Sequence, residues 1–290
     1  MTETRRENFL GLPGRFSKEA DSRFTVLPIP YEQTTTYVRG TRYGPQAILE
    51  ASHQVELYDE ELDLEPYEVG IHTASDLDLS ASPQQALEEI YRTVSDVLKR
   101  GKIPVALGGE HTLTIGVVRP LAEVYGGLTV LQLDAHADLR DEYFNSKLNH
   151  ACTARRLLEH GPVIQAGVRS MSKPEADYVR EHNLKVFYTQ QVRGKEGREE
   201  VVSRLSNDVY VTVDLDVFDP GIMPAVGAPE PGGLDWYDVL GLIRAVSQRS
   251  RIVGFDVVEL CPQSGNIAPN FLAAKLVYKV IGYIVASDQI

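Results

Sequence analysis

Short apolar runs alternate with longer amphipathic segments along most of the chain. Eight runs have the length of a strand, and they span residues 24–29, 67–71, 103–107, 128–134, 162–168, 184–188, 209–216 and 251–258. Several are apolar at consecutive positions, which is typical of strands that helices cover on both faces of a sheet. The pattern therefore predicts an α/β fold with a mostly parallel eight-stranded sheet. A closed eight-stranded barrel has the same alternation, so the pattern alone leaves both architectures open.

Three of the intervening segments carry clear helix signals. In "SPQQALEEIYRTVSDVLKRG", Ser82 has the position of an N-cap, Pro83 that of the first helical residue, and Gly101 follows the end. Further helices are predicted over residues 235–250 and 268–285. Because no Pro/Gly/Ser-rich linker and no repeat interrupts the pattern, the whole chain is predicted to form one domain, with residues 1–23 as an N-terminal extension.

Composition narrows the class of protein. The formal net charge of -12 argues against nucleic-acid and anionic-membrane partners and favours a small cationic one. Cys152 and Cys261 provide no disulfide framework, and the N-terminus lacks the apolar stretch of a signal peptide. No run approaches the roughly 18 apolar residues of a membrane span. We therefore expect a soluble, cytoplasmic protein.

Polar side chains of the metal-ligand type lie at or just beyond the ends of four predicted strands. In "LQLDAHADLR", Asp134, His136 and Asp138 are spaced two apart, so an extended backbone points them to one face. The other strand ends carry His111, the acids Asp214, Asp216 and Asp219, and the acids Asp256 and Glu259. Because ligands bind outside the carboxyl ends of parallel strands, these residues are expected to converge.

Several carboxylates gathered at one edge repel one another unless cations neutralise them. An oxygen-rich set with one or two imidazoles suits manganese, whereas zinc more often recruits cysteine or additional histidine. A two-metal site ionises a bridging water near neutral pH, so the pattern predicts hydrolysis. Taken singly, His111 or the Asp214–Asp216 pair would be ordinary loop residues. The remaining histidines lack such a pattern and are interpreted as structural or exposed: His53, His72, His160 and His182.

A set of motifs links the chain to a known family. It contains "GGEHT", "DAHADLRDEY", "NHACTARR", "VTVDLDVFDP", "GAPEPGGL" and "GFDVVEL" in this order, after "PYEQTTTYVRGTRYGPQAILEAS". With these motifs the chain resembles the ureohydrolases, manganese enzymes that include arginase and agmatinase, over residues 24 to about 285. "DAHADLRDEY" followed by "NHA" is more similar to the agmatinase-like branch, although Glu110 replaces the usual Asp of the first motif. The resemblance implies a three-layer α/β/α fold of the arginase/deacetylase type and a homotrimer or homohexamer.

The resemblance also implies a dinuclear site with two Mn²⁺ per subunit. One ion would be held by His111, Asp134, Asp138 and Asp214, and the other by Asp134, His136, Asp214 and Asp216. Asp134 and Asp214 would bridge the two ions, and a hydroxide between them would be the nucleophile.

The same resemblance assigns roles around the substrate. Glu259 would hold the guanidinium cation and His150 would protonate the departing amine, with Asp138 also catalytic and Asn145 a further substrate contact. A planar carboxylate–guanidinium pair and a group that titrates near neutrality fit those tasks. The expected reaction is hydrolysis of agmatine to putrescine and urea.

Two alternatives remain open. Val226 and Ala228 replace threonines of many family members, so another guanidino compound, such as guanidinobutyrate, arginine or guanidine itself, is a possible substrate. A carboxylated substrate needs a partner for its charge, and Arg140 and Ser146 are the local candidates. A metal-binding relative without catalysis is the alternative from another class. The presence of every expected ligand favours the enzyme.

Overall fold

The computed structural model describes residues 8–75, 77 and 79–288, so residues 1–7 of the predicted extension lie outside the described part. The strands are β1 Phe24–Ile29, β2 Ile71–Thr73, β3 Ile103–Gly108, β4 Thr129–Leu133, β5 Val163–Val168, β6 Lys185–Tyr188, β7 Asp208–Asp214 and β8 Arg251–Val258. The α-helices are α1 Gly14–Ser17, α2 Gly44–Ser52, α3 Pro83–Lys99, α4 Leu113–Val124, α5 Thr153–Leu157, α6 Lys173–Glu181, α7 Thr189–Val192, α8 Gly194–Ser203, α9 Trp236–Arg249 and α10 Ala268–Ser287.

The eight strands form one open sheet in the order β2-β1-β3-β8-β7-β4-β5-β6. Every neighbouring pair runs parallel, so the predicted mostly parallel sheet is parallel throughout the described strands. Because β2 and β6 are free edges, the closed barrel is excluded. The predicted three-layer α/β/α fold is confirmed.

One predicted strand is displaced. Residues 67–71 were expected to be extended, but Pro66–Val69 form a 3₁₀ turn and β2 begins only at Ile71. Gly70, with a φ of 80°, separates the two elements. Proline at the start favours the turn, and the left-handed residue then redirects the chain into the sheet.

Two layers of helices cover the sheet. The larger core packs α2, α8, α9 and α10 on one face, and a second core packs α3, α4 and α5 on the other. The predicted helix after Ser82 is confirmed as α3, and Ser82 and Gln85 cap each other as in a capping box.

Helix α10 corrects the expectation that no segment matches a membrane span. By length and composition this helix is apolar enough to cross a membrane, but most of its apolar stretch is buried inside the fold. The central helix of a packed core meets the same criterion, and the α10 side chains belong to the larger core.

The sheet order places four strand ends together. β3, β8, β7 and β4 are consecutive neighbours in the middle of the sheet. Their carboxyl ends lead into His111, Glu259, Asp214 and Asp134 respectively. Residues that are far apart in sequence therefore meet at the edge where open parallel sheets bind ligands.

Candidate metal centre and active site

Two adjoining groups of ligand-type side chains lie at this edge. In the first, the Nδ1 atom of His111 lies 3.1 Å from an oxygen of Asp134, 3.3 Å from Asp214 and 3.5 Å from Asp138. In the second, Nδ1 of His136 lies 2.7 Å from Asp216 and 3.7 Å from Asp134. Asp134 belongs to both groups, so the two groups form one continuous cluster.

The imidazole of His111 has the form that a metal ligand needs. Its Nε2 lies 2.9 Å from the Thr212 hydroxyl, which donates to Asp256 over 2.6 Å. The Thr212 hydroxyl has one hydrogen and donates it to Asp256, so toward His111 it can only accept the Nε2–H. The other ring nitrogen, Nδ1, then carries a lone pair. Nδ1 is buried and has no hydrogen-bond partner among the described residues. A buried, unpaired nitrogen aimed at three carboxylates fits a cation.

The electrostatics of the carboxylates agree with this fit. Burial raises the pKa values of Asp134, Asp138 and Asp214, and repulsion from neighbouring carboxylates, including Asp216, raises them further. A protein keeps such a crowded set of buried acids ionised only when positive charge is supplied. Oxygen and imidazole donors together suit a divalent ion of the manganese type.

Two of the site residues have an unusual backbone conformation. Asp138 and Glu259 have φ values of 51° and 68°, which non-glycine residues rarely adopt. A left-handed residue of this kind costs about 1–3 kcal/mol and persists where surrounding contacts hold it, often at a functional site. Both residues lie beyond the carboxyl ends of their strands, Asp138 after β4 and Glu259 after β8.

A cavity of about 330 Å³ opens over the cluster. Glu259 lines it, and its carboxylate accepts a 2.7 Å hydrogen bond from the backbone N–H of His111. Burial, with the nearby charge of Glu110, raises the pKa of Glu259 to about 8. A cation placed against this carboxylate would favour its ionised form.

His150 lines the cavity and contacts two threonines of the loop after β1. Its Nδ1 lies 3.2 Å from the Thr34 hydroxyl and its Nε2 lies 3.5 Å from the Thr36 hydroxyl. The Tyr143 ring meets the imidazole edge-to-face at 6.2 Å. Burial lowers the pKa of His150, which keeps the ring neutral near pH 7.

Not every strand-end residue joins the cluster. Asp219 accepts the backbone N–H groups of three glycines and stabilises a turn. Asp256 lies inside β8, where Thr114, Tyr210 and Thr212 donate to it. Both acids therefore support the site without facing the cavity.

The other predicted contacts are placed as follows. Asn145 is exposed at the tip of a tight turn, with a φ of 60°, and its proposed contact with substrate stays a prediction. Val226 is buried and pairs with Leu260, whereas Ala228 is exposed and lines the cavity. Ser146 uses its hydroxyl in a local turn with Leu148.

The sequence model of the arginase family matches residues 22–282 of this chain. This chain belongs to the arginase family. The ureohydrolase relationship predicted from the motifs is thereby confirmed, and the chain is a hydrolase of this family.

Individual relatives agree with the assignment. The chain is 42% identical to an N(1)-aminopropylagmatine ureohydrolase of Synechocystis sp. over 91% of its own length and 90% of the relative's. It is 34% identical to an agmatinase of Pyrococcus horikoshii, with 93% and 94% of the two chains covered. The crystal structure of the agmatine ureohydrolase of Thermoplasma volcanium has a TM-score of 0.86 at 33% identity, covering 93% of this chain and 92% of that one.

The arginase-family fold implies a binuclear metal site, and the cluster has the donors for one. Several residues that support the cluster had no role predicted from the sequence. Gln132 donates to Asp134 over 2.7 Å, and the half-buried Arg169 donates to the backbone carbonyls of Asp216 and Glu230. Gln132 and Thr212 each stand two positions before a cluster acid within an apolar strand, a signal that was present in the sequence.

Proposed function

We propose that this arginase-family chain hydrolyses the guanidino group of agmatine to putrescine and urea. The observation that carries the proposal is the position of Glu259, whose carboxylate lines the cavity next to the metal-type cluster. A guanidinium is a planar, permanently charged group, and a carboxylate binds it through paired hydrogen bonds.

The metals that we propose are two Mn²⁺ ions per chain. His111, Asp134, His136, Asp138, Asp214 and Asp216 would hold them. When bound, two divalent ions supply the acidity that ionises a water near neutral pH.

The chain's own side chains then bind the substrate and move protons. Glu259 holds the guanidinium so that its carbon faces the cluster, which removes the entropic cost of a random encounter. His150 accepts at Nε2 the proton that the attacking water loses as its oxygen bonds to the guanidino carbon. It gives that proton to the alkylamine nitrogen as the bond between that nitrogen and the guanidino carbon breaks. Asp138, in its left-handed conformation, also lines the cavity.

The charge balance of the cavity disfavours a carboxylated substrate. Arg140 is the one Lys or Arg side chain that lines the cavity among the described residues. Its Nε lies 3.9 Å from the buried Glu175 carboxylate, and its guanidinium stacks on the Tyr143 ring at 4.7 Å. Because the Arg140 guanidinium already has these two partners, it is not free to pair with the carboxylate of arginine or guanidinobutyrate.

A second candidate substrate is agmatine that carries an aminopropyl group. The 42% identical relative bears the name of an N(1)-aminopropylagmatine ureohydrolase, which favours this candidate. Tyr37 lines the cavity, and the residue is 77% exposed. A tyrosine ring can bind an ammonium group of a longer cationic tail.

A substrate comparison tests the proposal. Urea release from manganese-loaded protein is measured with agmatine, N(1)-aminopropylagmatine, arginine, guanidinobutyrate and guanidine. We expect kcat/KM for the agmatine skeleton to exceed that for arginine at least about 10-fold, since an unpaired carboxylate costs about 1–3 kcal/mol. A higher kcat/KM for aminopropylagmatine than for agmatine selects the second candidate. Preference for arginine or guanidinobutyrate contradicts both.

Because Cys152 and Cys261 are free cysteines, we also propose that the protein is cytoplasmic. On the family resemblance we propose that it assembles as a homotrimer or homohexamer. The acidic chain, with its formal net charge of -12, suits a small cationic substrate.

A further inference from the structure

Glu110 is a buried acid beside the active site that the reaction described above does not use. It follows β3 and precedes His111, and its side chain is completely buried. Within the described part of the chain, six hydrogen bonds converge on its carboxylate, three from backbone N–H groups and three from hydroxyls. An ion held by so many donors is fixed in position, so it can orient other groups.

The donors come mainly from one loop. The backbone N–H groups of Gln33, Thr34 and Thr35 lie 2.8, 2.6 and 3.2 Å from one carboxylate oxygen of Glu110. We call residues 33–36 the threonine loop. This loop contains no helix or strand, so the Glu110 carboxylate supplies the hydrogen bonds that secondary structure would otherwise provide.

The threonine loop leads directly to His150. The Thr34 hydroxyl donates to the Glu110 carboxylate and lies 3.2 Å from Nδ1 of His150. The backbone N–H of His150 donates to the same hydroxyl oxygen over 3.1 Å. Thr36 approaches the other ring nitrogen, Nε2, at 3.5 Å.

The direction of these hydrogen bonds determines where the proton of the imidazole lies. A threonine hydroxyl has one hydrogen, and an ionised carboxylate can only accept. Since Thr34 gives its hydrogen to Glu110, its oxygen can only accept from His150. The proton of the neutral ring therefore sits on Nδ1, and Nε2 carries the lone pair. Only Nε2, which is not tied to Thr34, is then available to receive a proton for transfer.

We propose that Glu110 and Thr34 form a positioning relay that holds His150 in the Nδ1–H tautomer and aims Nε2 into the cavity. The relay rests on the proposed function in one respect, namely that His150 protonates the departing amine. Glu110 and Thr34 do not touch the substrate in this account; they act through His150. A buried acid that fixes a histidine tautomer through hydrogen bonds has the same logic as the acid of a catalytic triad.

The length of Glu110 matters for this role. Members of the family that the motifs resemble usually carry Asp at this position, and Glu is one methylene longer. That extension carries the carboxylate to the backbone of the threonine loop as well as to the Thr112 hydroxyl, 2.5 Å away. A shorter Asp would have to give up one of these two sets of contacts.

Glu110→Gln is the most direct test because it reverses the direction of the hydrogen bond between residue 110 and the Thr34 hydroxyl. The amide nitrogen of Gln donates instead of accepting, so the Thr34 hydroxyl is free to turn its hydrogen toward Nδ1 of His150. The ring then carries its proton on Nε2, which can no longer receive one. We expect kcat for agmatine to fall about 100-fold with KM changed less than about threefold, since a proton-transfer group contributes about 10²–10⁴-fold.

A second substrate separates positioning from general damage. 4-Nitrophenylguanidine releases an anilide whose negative charge is delocalised onto the nitro group, so its departure depends much less on protonation by His150. The anilide then takes its proton from water, and kcat for this substrate should change less than about threefold. Thr34→Val should show the same selective loss, and Thr34→Ser should restore activity. Thr112→Val is the matched control, because it removes a hydrogen bond to the same carboxylate without touching His150, and it should leave both rates within about threefold.

A spectroscopic measurement tests the relay without any substrate. In protein labelled with ¹⁵N-histidine and loaded with diamagnetic Zn²⁺, the His150 signals are identified by their loss in His150→Asn. The wild type should show the Nδ1–H tautomer and Glu110→Gln the Nε2–H tautomer. Equal losses for both guanidines, an equal loss in Thr112→Val, or an unchanged tautomer would overturn the relay. If the wild type releases no urea from any guanidine, the proposed function fails, while the tautomer measurement still decides the relay.

Discussion

Replacing Asp134 with Asn is expected to remove metal binding and to lower urea release at least about 1,000-fold. Asp134 is common to the two groups found among the described residues, and it is completely buried. An amide keeps the size of the carboxylate but lacks its charge. Loss of the several kcal/mol that metal ions supply corresponds to about three or more powers of ten in rate.

Metal content and kcat, measured on the same preparation, check this expectation. Asp141→Asn is the matched control, since Asp141 lies just beyond the cluster, is exposed and pairs with Arg156. An exposed ion pair contributes about 0–1 kcal/mol, so this variant should keep its metal and nearly all its activity. An Asp134→Asn protein that retains two ions per chain would refute the shared role of Asp134.

Glu259→Gln is expected to lower kcat/KM about 30-fold to 1,000-fold while leaving the metals bound. The amide can still accept the backbone N–H of His111, so the strained backbone at position 259 keeps one of its supports. It cannot pair its charge with a guanidinium. Removing one partner of a hydrogen-bonded charge pair costs about 2–5 kcal/mol, which is the basis of the expected range.

Steady-state urea release and metal analysis measure this effect. Glu230→Gln provides a control of the same chemical change, because Glu230 approaches His136 only to 3.8 Å and is partly exposed. That variant should stay within about fivefold of the wild type, as expected for a solvent-screened charge. A Glu259→Gln variant with unchanged kcat/KM and full metal content would show that another group holds the guanidinium.

The local part of the site could be predicted from the sequence. Alternation within an extended strand places Asp134, His136 and Asp138 on one face, and that inference needs no knowledge of the rest of the fold. The same local logic located the strands with small shifts at their ends. It was wrong at residues 67–71, where Pro66 and Gly70 impose a turn that the apolar pattern does not reveal.

The assembly of the site could not be predicted from local pattern alone. The order β3-β8-β7-β4 arises from long crossovers, and it brings together residues as distant in sequence as His111 and Glu259. The hydrophobic periodicity of a strand does not indicate which other strands become its neighbours. The motif resemblance did predict this convergence, because it carries over the arrangement of site residues in the family's fold.

Contacts made by irregular loops were the hardest to predict from the sequence. The threonine loop has no pattern of its own, yet the Glu110 carboxylate binds three of its backbone N–H groups and Thr34 contacts His150. Hydrogen bonds of this kind depend on the path of the backbone after β1. They become apparent only when that path is known.

The central claim is that this arginase-family chain uses two divalent ions to release urea from a cationic alkylguanidine. The most direct measurement is a titration of Mn²⁺ into chelator-treated protein, with urea release from agmatine and N(1)-aminopropylagmatine followed against bound metal. We predict that urea release is absent without metal, rises with occupancy and saturates at two ions per chain. Full urea release from metal-free protein, or none from either compound at full occupancy, would contradict the claim.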